Sequence, residues 1–347
     1  MENEISKKKS NRVIYFDILN IIAIIAVIAM HCNSIVHGKP NSTAWTTSLV
    51  IECICYFAVP LFCMLSGATL MNYREKYDTK TFFKKRLLKV AIPFIFWAII
   101  MFVWKINIQS INIPIKFINA FFANKEEATY YFMFIILGLY LTMPLLSLLA
   151  KKEYTKQLWF VVLLYFIFNA FLPNILELFK IQLNTNLTVQ LGGYAIFIIL
   201  GYLLSTQNIT KKYRILIYAG AIIGLIYRFA TTFYLSKQAG SVVKTTWGYT
   251  SWHAILLTAT VFLIIKNLNF EKIITNSKVR NFITKMSGCS FGIYLIHKIV
   301  MYYEQKILSI DVYSWQWRTI GIFSTYIICL VIVSIIKKLP LLKKTVP

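Results

Sequence analysis

The chemistry this chain can do is carried by a few polar residues set in apolar surroundings. His31 lies near the end of the run "ILNIIAIIAVIAMHCNSIV", residues 18–36, which is otherwise suited to lipid. An imidazole titrates near neutrality, so it can take the proton of a hydroxyl as that oxygen attacks a carbonyl. A carboxylate can orient such a ring and stabilise its protonated form, and Glu52 is the candidate for this. His297, with Tyr294 one turn before it, and Glu304 lie in a second such run and read as acceptor-binding groups or a second acid/base, together with Ser66. Asp17, Arg228 and His253 complete the informative set of ionisable groups in apolar segments. Each costs about 2.5–3.5 kcal/mol at mid-membrane, so each needs a partner or a task. His253, in "TSWHAI", and the rings of Trp247, Tyr249, Trp252, Trp315 and Trp317 read chiefly as residues of a membrane interface.

The elements that hold these residues must be membrane spans. Hydrophobic residues make up 58% of the chain and aromatics 16%, with a mean hydropathy of +0.64, well outside the range of a soluble domain. A span needs about 20 apolar residues. Ten segments qualify, at roughly 13–36, 46–71, 87–106, 129–150, 157–176, 190–206, 213–235, 250–268, 287–308 and 316–336. The expectation is an all-α, polytopic membrane helix bundle with about ten transmembrane helices, forming a single domain over residues 1–347.

Charge sets the orientation. Of the 37 Lys and Arg, 25 lie in or beside the loops on the side of the two termini, nine lie on the opposite side, and Lys89, Arg228 and Lys298 fall within spans. This asymmetry predicts cytoplasmic termini in a multi-pass protein of the cell membrane. It also accounts for the net charge of +24 without a nucleic-acid partner, since the basic residues sit in short loops rather than on one extended face. The amino-terminal "MENEISKKKSNR" is basic but precedes no small-residue cleavage site, so the first span reads as retained. With alternating directions, Asp17 lies near the cytoplasmic face and His31 about 21 Å further out, only about 40° away around the helix. Glu52, His253 and Glu304 fall in the outer half, with His297 near the middle.

Other chemistries are not signalled. The six cysteines show no paired metal-ligand spacing, and Cys53 and Cys55 diverge on a helix. A phosphate loop and a nucleophile elbow are both lacking. No metal is expected.

Four strings together resemble one family. "YFDILNIIAIIAVIAMH", "FAVPLFCMLSGATLM", "KKRLLKVAIPFIFW" and "SGCSFGIYLIH" are similar, in that order, to the first, second, third and a late span of the membrane-bound acyltransferase-3 family, including its surface polysaccharide O-acyltransferases. The resemblance implies transfer of an acyl group, usually acetyl from cytoplasmic acetyl-CoA, to a carbohydrate or lipid-linked saccharide. His31 then matches the first-span histidine, and Arg86 and Lys89 match two basic residues opening the third span. Asn20 departs from the pattern, for the family usually has Arg there. Arg12, Asn20, Arg86 and Lys89 are the expected CoA-binding residues, because cations at this face suit the anionic phosphates. Membrane lipids are the other expected partners. A saccharide or small-amino-acid transporter of the same membrane family would also need mid-membrane polar groups. Paired Gly/Pro-interrupted spans, which would favour it, are not visible. A non-catalytic scaffold leaves His31 without a purpose.

Overall fold

The computed structural model describes residues 12–108, 117–125, 127–184 and 186–347. The basic cluster Lys7 to Lys9, expected on the cytoplasmic side, lies outside the described residues. Among the described residues the chain is helical and contains no strand. The principal helices are α1 (Ile14–Cys32), α2 (Thr43–Glu75), α3 (Thr79–Asn107), α4 (Ala128–Leu149), α5 (Lys152–Leu178), α6 (Ala195–Thr206), α7 (Lys211–Ala239), α8 (Trp252–Asn267), α9 (Ser277–Ile307) and α10 (Trp315–Ile336). Seven of them, α1 to α5, α7 and α10, are long and apolar enough to cross a membrane; α6 and α8 are shorter apolar helices. Each of the ten segments expected from hydropathy coincides with one of these helices, and the result is a polytopic helical membrane bundle.

Proline sets the irregularities. Helix α2 breaks at Tyr56 and Phe57, because Pro60 has no N–H to give the carbonyl four residues earlier. Helix α3 carries a π-turn at Leu87–Ala91 ahead of Pro93, and α5 carries one at Phe166–Phe171 ahead of Pro173. In both, the missing proline donor leaves a carbonyl inside the π-turn without its usual bond. The α3 turn contains Lys89 and follows directly on Arg86.

Helix α1 is the axis of the bundle and packs on α2, α8, α9 and α10. It is apolar around much of its surface and buries Leu19, Ala23, Ile24, Val27 and Ile28, as expected of a helix enclosed by others. The other tight seam joins α2 to α6. A Cβ on Gly67 would lie 2.0 Å from the carbonyl oxygen of Ile198, and one on Gly201 equally 2.0 Å from that of Met64. Only glycine fits either position, and close backbone approach of this kind drives helix association in lipid. The Ser66-Gly67 pair therefore has a packing reason: the glycine seats α6, and the serine faces a cavity.

Candidate active site

Two cavities lie along the α1 axis. The one at the Asp17 end has a volume of about 650 Å³, and among its lining are Arg12, Asp17, Asn20, Ser66, Arg86, Lys89 and Tyr140. The one at the His31 end has about 180 Å³, lined among others by His31, His37, Glu52, Tyr56, Trp247 and Tyr249. They share three lining residues: Phe62 of α2, Phe132 of α4 and Tyr294 of α9. The three rings form a chain, with centroids 5.7 Å apart from Phe62 to Phe132 and 5.8 Å from Phe132 to Tyr294.

At the larger cavity much of the polar surface is already paired. Arg12 grips Asp17 with a fork, Nε to Oδ2 at 2.8 Å and Nη2 to Oδ1 at 2.6 Å, and Thr284 Oγ1 donates to the same carboxylate at 3.2 Å. The hydrogen bond to Asp17 raises the pKa of the Arg12 guanidinium above its ordinary value, despite partial burial that acts the other way. Asn20 Nδ2 donates to the carbonyl and the hydroxyl of Ser287, at 2.9 and 3.1 Å. Asn20 thus ties α1 to α9. Arg86 and Lys89 make no ion pair among the described residues. Arg86 lies over the rings of Phe82 and Tyr140, at 5.7 and 5.6 Å, with its buried Nε unpartnered. The chain's segment 345–347 returns to this cavity: Trp97 Nε1 donates to Thr345 at 3.0 Å, Val346 is fully buried, and Pro347 joins the lining.

At the smaller cavity several polar groups are buried and poorly partnered. His31 stacks on His297 with ring centroids 5.1 Å apart and an interplanar angle of 29°. His297 Nδ1 lies 2.6 Å from the Tyr294 carbonyl. A carbonyl only accepts, so the proton is assigned to Nδ1 and the Nε2 lone pair is left free; Nε2 is buried without a partner. The ring that positions His31 is therefore His297, a contact the sequence did not indicate.

Glu52 lines the same cavity as His31, but its charge partner is Arg228, with Oε1 4.0 Å from Nη2. Arg228 is only 1% exposed, and none of its three guanidinium nitrogens has a hydrogen-bond partner. Its guanidinium carbon sits 3.3 Å from the Tyr56 ring centroid, and Tyr56 in turn stacks on Tyr249 at 4.1 Å and 11°. Two more lining groups, Thr129 Oγ1 and Trp247 Nε1, are also buried and unpartnered. His37 lies at the cavity rim, outside the spans, and burial together with the charge of Lys244 holds its pKa below the ordinary 6.5.

The expected site residues sort as follows. Arg12, Asn20, Ser66, Arg86 and Lys89 gather at one cavity, His31 and Glu52 at the other, and Tyr294 belongs to both. Glu304 is corrected: it lines neither cavity, and its carboxylate accepts from Ser324 and, at 2.6 Å, from Thr325, which makes it a tie between α9 and α10. His297 also lines neither cavity and stacks behind His31. Ser66, expected with the acceptor, lies on the Arg86 side.

Sequence reasoning missed Phe62, Phe132, Thr129 and Arg228 as parts of one site. Phe62 stood inside a motif, yet an aromatic in an apolar span carries no signal of its own.

The acyltransferase-3 family model, described as an acyltransferase domain, matches residues 13–336, nearly the whole chain. No curated protein and no solved structure matches.

Proposed function

We propose, for a chain that belongs to the acyltransferase-3 family, that it moves acetyl from cytoplasmic acetyl-CoA to a hydroxyl of a carbohydrate or lipid-linked saccharide, with His31 as general base. The reading places the protein in the cell membrane with both termini cytoplasmic. One observation carries it: a cation-lined cavity and a histidine-bearing cavity meet end to end at three shared rings. A reaction with its donor on one side and its acceptor on the other needs that arrangement.

Arg86 and Lys89 offer unpaired cations at the wider cavity, suited to phosphate oxygens. The donor's thioester then comes level with Phe62, Phe132 and Tyr294, and the acceptor hydroxyl approaches His31 from the other side. His31 takes the hydroxyl proton as oxygen bonds to the acyl carbon. The C–S bond breaks, and the proton passes to the departing thiolate, so that CoA leaves as the thiol. His297 holds the His31 ring by stacking. The second cavity suits a sugar, because Tyr249 and Trp247 offer flat apolar faces while Thr129 Oγ1 and Trp247 Nε1 lack hydrogen-bond partners. Hydroxyl groups supply both kinds of contact.

The test is incubation of the purified full-length protein with labelled acetyl-CoA and a panel of surface glycans. CoA release that depends on the glycan, with label recovered on it, is the expected result. Release indifferent to every glycan, or none at all, would contradict the reading.

A further inference from the structure

The two cavities differ in size at the place where they meet, and that difference bears on which acyl groups can react. The smaller one has a volume of about 180 Å³. A cavity of about 150 Å³ is filled by a single benzene ring. The space beside His31 therefore holds the reacting edge of one sugar and a very short acyl group, and little else.

The ring barrier adds a second limit. Tyr294 is 5% exposed and its hydroxyl donates to the Thr129 carbonyl, which pins it to α4. Phe132 is 8% exposed and meets Tyr294 edge-on, at 76°. Phe62 is half-buried, has no hydrogen-bonding group and touches the set only through Phe132 at 5.7 Å. It is the ring whose removal opens space without releasing a buried polar group.

We propose that Phe62, braced by Phe132 and Tyr294, sets the length of acyl chain this protein transfers and restricts its donors to two- and three-carbon acyl thioesters. The proposal rests on the acyl-transfer reading above. In the step itself the acceptor oxygen bonds to the acyl carbon, the C–S bond breaks, and the hydroxyl proton leaves through His31 to the CoA sulfur. None of this depends on chain length. What length changes is where the tail goes: past the rings it enters the space the acceptor needs, and short of them it holds the carbonyl back from His31. One methylene that does not fit a pocket is worth about 10- to 200-fold in discrimination.

The test uses native membranes containing the overproduced full chain, so that the natural acceptor is present, supplied with acetyl-, propionyl-, butyryl- or hexanoyl-CoA. Free CoA thiol is measured, and the signal of membranes containing His31→Ala is subtracted. For the wild type, kcat/KM falls at least tenfold between propionyl and butyryl. In Phe62→Ala the hexanoyl-to-acetyl ratio rises at least tenfold, and Phe62→Leu, which disturbs packing less, moves it the same way by a smaller factor. A flat length profile in the wild type, or profiles in both variants parallel to it, would overturn the inference while leaving acyl transfer standing. Absence of thiol release with every donor would overturn both.

Discussion

The two cavities hold polar residues on opposite terms. At the wide cavity Arg12 is paired with Asp17 and Asn20 with Ser287, and Lys89 is exposed. At the narrow one Thr129 and Trp247 in the lining, and Arg228 and His297 packed behind Glu52 and His31, keep buried polar atoms without a hydrogen bond. Charges near a span end are inexpensive because long side chains reach water. Their presence alone says little about function, and here it is the unpaired Arg86 that matters. Buried polar groups without partners cost free energy in every state that lacks a ligand. The narrow cavity and the residues behind it hold more such groups than the wide one, where Arg86 Nε and Ser290 Oγ are the unpartnered atoms, and it is there that we place the chemistry.

That contrast can be broken most sharply at His31. His31→Ala should lower kcat by about 10²- to 10⁴-fold, the usual worth of a general base, with the KM for acetyl-CoA nearly unchanged and the yield of folded protein intact. A kcat within a few-fold of wild type would mean that the narrow cavity is not the reacting one.

Arg228 sharpens it next. Removing one partner of a buried ion pair costs about 3–5 kcal/mol, whereas replacing both by apolar groups is often neutral. Arg228→Met should lower the melting temperature markedly, and Arg228→Met with Glu52→Leu should restore it without restoring acceptor use. If the double variant recovers full activity, the pair serves packing alone.

Arg86 probes the wide cavity. A hydrogen bond to a charged group is worth about 1.5–3 kcal/mol, so Arg86→Ala should raise the apparent KM for acetyl-CoA about 10- to 100-fold. Because that contact is equal in ground and transition states, kcat should hold. A fall in kcat with KM unchanged would remove Arg86 from donor binding.

The smallest effect concerns the frame around the narrow cavity. Lys105 Nζ holds Glu127 Oε2 at 2.9 Å and so joins α3 to the start of α4, next to Thr129. Burial pushes the Glu127 carboxyl up, but Lys105 and the Thr129 N–H outweigh it and hold its pKa below the ordinary 4.5. The ionised carboxylate therefore contributes stability that is present above pH 4.5 and lost as pH falls through the lower folded value. Thermal melts between pH 7 and 3 should show the gap between wild type and Glu127→Gln closing at the acid end. A gap that is constant with pH would mean that the pair adds nothing.

Much of the fold was legible, because lipid makes hydropathy a direct readout of helix position: all ten expected segments are helices. The cation-lined cavity was legible for a related reason, since Arg12, Arg86 and Lys89 stand at span ends and hydropathy places span ends. The narrow cavity was legible only in part. His31 and Glu52 could be set at one depth, but which faces they present depends on how α1, α2, α7 and α9 pack, and no residue count gives that register. Glu52 turned to Arg228 rather than to His31, and Glu304 to Ser324 and Thr325, through such contacts. The stack of His31 on His297 joins residues 266 positions apart in the chain. The breaks ahead of Pro60, Pro93 and Pro173 could have been read from the prolines themselves.

The central claim is that donor and acceptor occupy opposite cavities. Sealed membrane vesicles of both orientations, given labelled acetyl-CoA from outside only, test it directly, because the CoA thioester does not cross the bilayer. With the proposed orientation, inverted vesicles present the face bearing Arg86 and should fix label on the natural acceptor, while right-side-out vesicles should fix almost none until they are permeabilised. Equal labelling of both, or labelling of right-side-out vesicles alone, would contradict the account.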